Sequence, residues 1–233
     1  MFGIHPTASP KSHTGTGAAH TSRRAARAAL LAIPLAAGIL GGTVTPAQAA
    51  TPAAPGQNAT APLTCRGESV DPAAKIRYRT EAVIKAPLDT IWRLQTDVRR
   101  WPSWQAPVKS MKRLDPGPLR SGSRFRWTTP APPTETTPDT TLSITSTVHQ
   151  IQHGKCIRWS GPAIGEGLRI DNGVHVWNFT KVGGGVLVRT EETWTGAQVE
   201  GDVPTATRYL GAGLEAWLTD LKAAAETDPC HHR

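Results

Sequence analysis

From Ile76 to Trp194 apolar and polar positions mostly alternate with a period of two, and a helical period replaces it at two places. Ile76, Tyr78, Thr80, Ala82 and Ile84 alternate with charged or polar neighbours, which predicts a half-buried strand. Leu88, Ile91, Leu94 and Val98 follow at helical spacing behind Pro87, a residue tolerated in the first turn of a helix. Trp101-Pro102-Ser103-Trp104 ends that helix and sets two indoles around a tight bend. Six further strands are predicted, over residues 108–114, 123–129, 141–152, 155–160, 168–180 and 186–196, with a bend or bulge near residues 171–173. Residues 130–138, rich in proline and threonine, are expected to form a loop beside a cavity mouth. The last and longest helix is predicted over residues 204–226. Its apolar stripe of Leu210, Leu214, Trp217, Leu218 and Leu221 must lie on an apolar surface, and Gly211 and Gly213 inside it point to close packing, a bend or room for a ligand.

The segment from Val174 to Gly196 reads as one hairpin around Gly183-Gly184-Gly185. Its alternation places His175, Trp177 and Phe179 on one face of the first strand, and Val186, Val188, Thr190, Glu192 and Trp194 on one face of the second. A face that is apolar and aromatic, with one histidine and one carboxylate set into it, suits a cavity better than a plain core.

Composition trims the chain before it refines the site. Arg23, Arg24 and Arg27, the short apolar run 28–40 and Ala47-Gln48-Ala49 have the three-part design of an export signal, so residues 1–49 are expected to be removed near Ala49. The pair Arg23-Arg24 also hints at twin-arginine export. Residues 50–73 are expected to be a disordered linker, residues 74–228 the folded domain and 229–233 a tail. The mature product is expected to be secreted, with no stable membrane insertion. The leader holds four of the 26 Lys and Arg and none of the 18 acids, so the formal +8 falls to +4 in the mature chain. Those charges are spread along strands and accompany no RNA- or DNA-binding motif, so a nucleic-acid partner is not expected. Three cysteines leave at least one unpaired within a monomer. A Cys65–Cys230 bridge would tie both termini to the domain and contribute about 4 to 5 kcal/mol on the chain-entropy model, with Cys156 an ordinary strand residue; three free thiols are the alternative.

One strand, a helix with a short second turn, six antiparallel strands and a long final helix is the element order of an α+β helix-grip fold. Ala86-Pro87 before Ile91-Trp92, Asp97 through Trp101-Pro102-Ser103-Trp104, Gly122-Ser123-Arg124-Phe125-Arg126-Trp127, Ile157-Arg158-Trp159-Ser160-Gly161, and the hairpin through Trp194-Thr195-Gly196 carry a resemblance. On these the chain resembles the SRPBCC superfamily, also called START-like or Bet v 1-like, in its polyketide cyclase/dehydrase branch. The resemblance implies a curved sheet of about seven strands wrapped around the last helix over a hydrophobic cavity. It implies a small hydrophobic or aromatic ligand, a lipid or a polyketide-like molecule, and no cofactor. Some members catalyse ring closure or dehydration, so the resemblance licenses a pocket and not a reaction.

The expected ligand-binding residues are Trp104, Trp127, Trp159, His175, Trp177, Phe179, Glu192, Trp194 and Leu214. His175 and Glu192 have two readings. They are an acid–base pair of a cyclase or dehydratase, or they satisfy each other, with Arg126 or Arg158 as other partners for the carboxylate. The strand tryptophans have two as well, an aromatic wall or core filling, and Trp101 and Trp104 either anchor the core or gate an entrance. His149 and His153 read as surface residues and no metal site is expected, Cys230-His231-His232 included. A third reading of the whole is a cell-envelope interaction module with a filled cavity. Oligomeric state does not follow from the sequence.

Overall fold

The computed structural model describes residues 61–227. The export signal, the cleavage site at Ala49, residues 50–60 of the linker, Cys230 and the tail lie outside the described residues. Seven strands, β1 (Ile76–Ile84), β2 (Ser110–Arg113), β3 (Arg124–Ala131), β4 (Thr140–Gln152), β5 (Cys156–Gly165), β6 (Leu168–Val182) and β7 (Gly185–Thr195), form one antiparallel sheet in the order β1-β7-β6-β5-β4-β3-β2. Helix α1 (Leu88–Thr96) runs into a 3₁₀ turn over Val98–Ser103, and α2 (Val203–Glu226) closes the chain. This is the α+β helix-grip architecture, with α2 held on the concave face of the sheet.

Local chemistry fixes the ends of α2. Asp202 caps it by accepting from the Thr205 backbone N–H at 3.1 Å, and a proline occupies its first turn. Leu210, Leu214, Trp217, Leu218 and Leu221 are buried, as the stripe requires. Gly211 has a specific cause: a Cβ there would sit 2.7 Å from the ring of Tyr78, so β1 and α2 meet only because it is glycine. The concave side holds two apolar clusters. One, around Trp92, Trp101, Phe125, Trp177 and Trp217, fills the end covered by α1 and the 3₁₀ turn. The other, around Ile76, Leu142, Ile170, Leu210 and Leu214, surrounds the opposite end.

Three expectations change. Pro130 and Ala131 continue β3, paired with Thr141 and Thr140, because β2 ends its pairing at Thr128 and leaves β3 an edge where a missing N–H breaks no ladder. Residues 61–73 of the expected linker are packed chain. Leu63, Cys65 and Val70 cover Cys156, Val174 and Val176 on the convex face, forming a third apolar cluster. Arg66 and Gly67, both at positive φ, turn this strap tightly between Cys65 and Glu68, and its backbone is met by side chains: Glu191 accepts from Leu63, Arg158 donates to Ser69, and Asn178 donates to Thr64. Cys65 is bonded to Cys156 across a Cα separation of 5.4 Å and not to Cys230, because the strap returns over β5 and lays one cysteine on the other. The bend expected near 171–173 is a bulge where Gly161 pairs Gly173 but Ala163 pairs Ile170.

Candidate functional site

Between the sheet and the N-terminal half of α2 lies a cavity of about 520 Å³, within the range of small-molecule sites. Strand alternation positions its polar inner wall. In the β6–β7 ladder His175 stands directly opposite Glu192, Trp177 opposite Thr190, and Phe179 opposite Val188. His175 Nδ1 lies 3.0 Å from Glu192 Oε2, and its Nε2 lies 2.6 Å from the Thr190 hydroxyl. Trp194 Nε1 donates to the other oxygen of Glu192 at 2.8 Å. With Glu192 ionised, the proton of a neutral His175 sits on Nδ1 and Thr190 donates to Nε2. Both ring nitrogens are thereby engaged, and the ring is clamped between Trp159 and Trp177, each with its centroid 5.0 Å away.

Glu192 thus meets His175 and Trp194, while the two arginines considered as partners turn elsewhere. Arg126 donates to Thr145, and Arg158 to Ser69 and Gln150. The Glu192 side chain keeps 17% of its surface accessible at the cavity, so its carboxylate has lone pairs to offer a ligand. Gln105 borders the cavity with its amide oxygen itself buried. It is 1% exposed, and its Oε1 has no partner among the described residues. The paired glycines of the bulge serve different neighbours: Gly161 lets β5 close on the β4 backbone, and Gly173 leaves room beside Glu192. A Cβ on Gly161 would meet the Thr145 carbonyl oxygen at 1.9 Å, and one on Gly173 would meet Glu192 at 3.2 Å.

Of the residues expected to bind a ligand, Trp127, Trp159, His175, Glu192, Trp194 and Leu214 line the cavity together. Trp104, Trp177 and Phe179 do not. Trp177 is fully buried between His175 and Trp217, Phe179 packs edge-on against Trp92, and Trp104 leans on Trp217. For Trp177 and Phe179 the face is correct and the level along the sheet is not, because α1 and the 3₁₀ turn, which Trp104 ends, fill the concavity where they stand. Trp101 is likewise a core residue, wholly buried with its N–H donated to the Gln95 carbonyl. Sequence reasoning missed Trp217, whose ring contacts Trp101, Trp127 and Trp177 and which also lines the cavity. Its place on the α2 stripe was the available signal. Nothing in the sequence marked Gln105. At the mouth, residues 132–137 of the β3–β4 loop face α2, where the Tyr209 hydroxyl reaches the Pro133 carbonyl at 3.4 Å. Among the described residues no group of three or more potential ligands could hold a metal, and no helix is long and apolar enough to cross a membrane.

A family model described as polyketide cyclase / dehydrase and lipid transport matches residues 75–226. Among solved structures, a START superfamily protein from Mycobacterium smegmatis superposes with a TM-score of 0.52 at 16% identity, covering 64% of this chain and 97% of that one. The protein TTHA0849 from Thermus thermophilus gives 0.50 at 19% identity, covering 64% and 96%. The di-domain ARO/CYC StfQ from the steffimycin biosynthetic pathway gives 0.50 at 17% identity, covering 65% of this chain and 50% of its own. No curated protein sequence matches the chain. At these identities the structural likenesses speak to fold.

Proposed function

The chain belongs to the polyketide cyclase / dehydrase and lipid transport family, and on that premise we propose that it binds a small apolar, ring-bearing molecule in the cavity between sheet and α2. The ligand carries a hydroxyl or N–H donor at its inner end. The carrying observation is a wall of Trp127, Trp159, Trp194 and Trp217 around one accessible acceptor, the Glu192 carboxylate. Indole faces select flat rings, and an acceptor covered by a ligand penalises one that brings no donor to it. Aromatic polyketides and hydroxylated lipids have this chemistry. The reading includes export, which the Cys65–Cys156 disulfide supports, since such bonds persist in oxidising compartments.

Tryptophan fluorescence tests it. Titration with a hydroxyanthraquinone should quench saturably, and its methyl ether should bind about tenfold or more weakly through loss of the donor. No saturable response to the hydroxyanthraquinone, a sterol or a fatty acid would defeat the proposal. A cyclase or dehydratase reading draws on the His175–Glu192 contact, but both nitrogens of His175 are already engaged, so the ring must first give up Thr190 to move a proton on a ligand. That reading predicts turnover abolished by His175→Ala with binding retained. The open volume weighs against an interaction module with a filled cavity.

A further inference from the structure

A second concavity, enclosing about 570 Å³, lies where α1 and the 3₁₀ turn meet the β2–β3 loop and the β4–β5 turn. It is separate from the sheet–helix cavity and shares no lining residue with it. Trp92 and Ile151 give it an apolar floor, while Arg93, Arg99, Arg113 and Arg120 stand on its walls against one lining acid, Asp97. The four guanidinium groups come from α1, the 3₁₀ turn, β2 and the β2–β3 loop, so the fold gathers charges that the sequence disperses.

Arg113 gives the groove its direction. Its side chain is only 6% exposed. One terminal nitrogen, Nη2, is held by Asp115 and lies 3.4 Å from the Ser123 hydroxyl. The second oxygen of Asp115 accepts the Arg124 backbone N–H, so both oxygens of that carboxylate are committed. The Nε of Arg113 has no partner among the described residues. That N–H is itself shut off from the groove, so an oxyanion at this wall meets the guanidinium's charge and not its orphaned donor.

The walls are set before any ligand arrives. Pro116 and Pro118 flank Gly117, which sits at φ +78°, and the far end of the loop is tied to β4 by Gly122 N–H to the Val148 carbonyl at 2.8 Å and by Ser121 to the His149 carbonyl at 2.6 Å. Across the groove the His153 ring lies 5.4 Å from Trp92. A tied loop around an apolar floor lowers the ordering cost of binding an anion that carries an apolar body.

We propose that this groove is a binding site for a phosphate-type oxyanion, either free or presented on a lipid headgroup. Two probes on the full chain separate the sources: calorimetric titration with pyrophosphate, and co-sedimentation with phosphatidylcholine vesicles with and without phosphatidic acid. Arg99 and Arg120 are exposed, so Arg99→Gln/Arg120→Gln should leave the melting temperature unchanged. Saturable binding is expected in at least one arm, the responding arm naming the source, with affinity reduced about tenfold or more in the double variant. Binding in neither arm overturns the site. So does undiminished binding by the double variant, or an equal loss in the exposed Lys181→Gln control, either of which marks attraction to net charge alone.

Discussion

Within the cavity, each polar side chain is defined by the partners it already has. Glu192 takes one donor on each oxygen, from Trp194 and from His175, and His175 passes the chain of bonds on to Thr190. Glu192→Gln is expected to cost about 1 kcal/mol or less, because the amide oxygen keeps Trp194 while the amide nitrogen donates to His175 Nδ1. The imidazole then moves its proton to Nε2 and donates to Thr190. Glu192→Leu has no such escape. It strips two buried donors of their acceptor, at about 1 to 3 kcal/mol each. Denaturant unfolding measures the difference, and ¹⁵N shifts of the ring report the tautomer; an unchanged tautomer in Glu192→Gln would refute the account. The facing of these residues was legible in the sequence, because period-two alternation decides which side of a strand a residue occupies. Alternation is silent on the level along the strand, which is why it grouped Trp177 and Phe179 with the cavity wall.

Between elements, the two glycines of α2 separate packing from propensity. Gly211 lies against Tyr78, whose hydroxyl bonds to Glu215 one turn further along α2, whereas nothing lies within 4 Å of a Cβ on Gly213. Gly213→Ala is therefore expected to stabilise the protein by about 0.5 to 1 kcal/mol through helix propensity alone. Gly211→Ala gains the same propensity but forces Tyr78 off α2, and overpacking of this kind costs about 1 to 3 kcal/mol. Opposite shifts in the melting temperatures of the two variants are the expected result, and equal shifts would contradict it. The long, strongly periodic elements were readable: the α2 stripe, the β6–β7 hairpin, and even the bulge announced by Asp171-Asn172-Gly173. The strap over residues 61–73 was not, because its burial depends on three apolar side chains, Leu63, Cys65 and Val70, at irregular spacing. Such a segment has no period to detect; only the convex-face valines of β6 give it somewhere to lie.

For the whole molecule, the disulfide and the cavity sit on opposite faces of one sheet, and that separation has a measurable consequence. Cys65 and Cys156 are 91 residues apart, so on the chain-entropy model their bond removes about 4 to 5 kcal/mol of freedom from the unfolded chain, and removal of native disulfides typically costs about 2 to 5 kcal/mol. The strap it pins is held otherwise by a small apolar cluster and a few side-chain bonds to its backbone, among them the buried contact from Leu63 to Glu191. Cys156→Ser should therefore lower global stability by about 2 to 5 kcal/mol and selectively expose the amides of residues 61–74 to hydrogen exchange. The inward residues of β6 and β7 keep their ladder and their contacts with α2, so affinity for a cavity ligand should stay within about twofold, as expected of sites without shared partners. Exchange and fluorescence titration on the same variant decide the matter. If the amides of 61–74 remain protected, the strap is held by its apolar cluster and not by the bond. If ligand affinity collapses with the disulfide, the two faces are coupled through the shared strand β6, whose Val174 and Val176 support the strap while His175 between them lines the cavity.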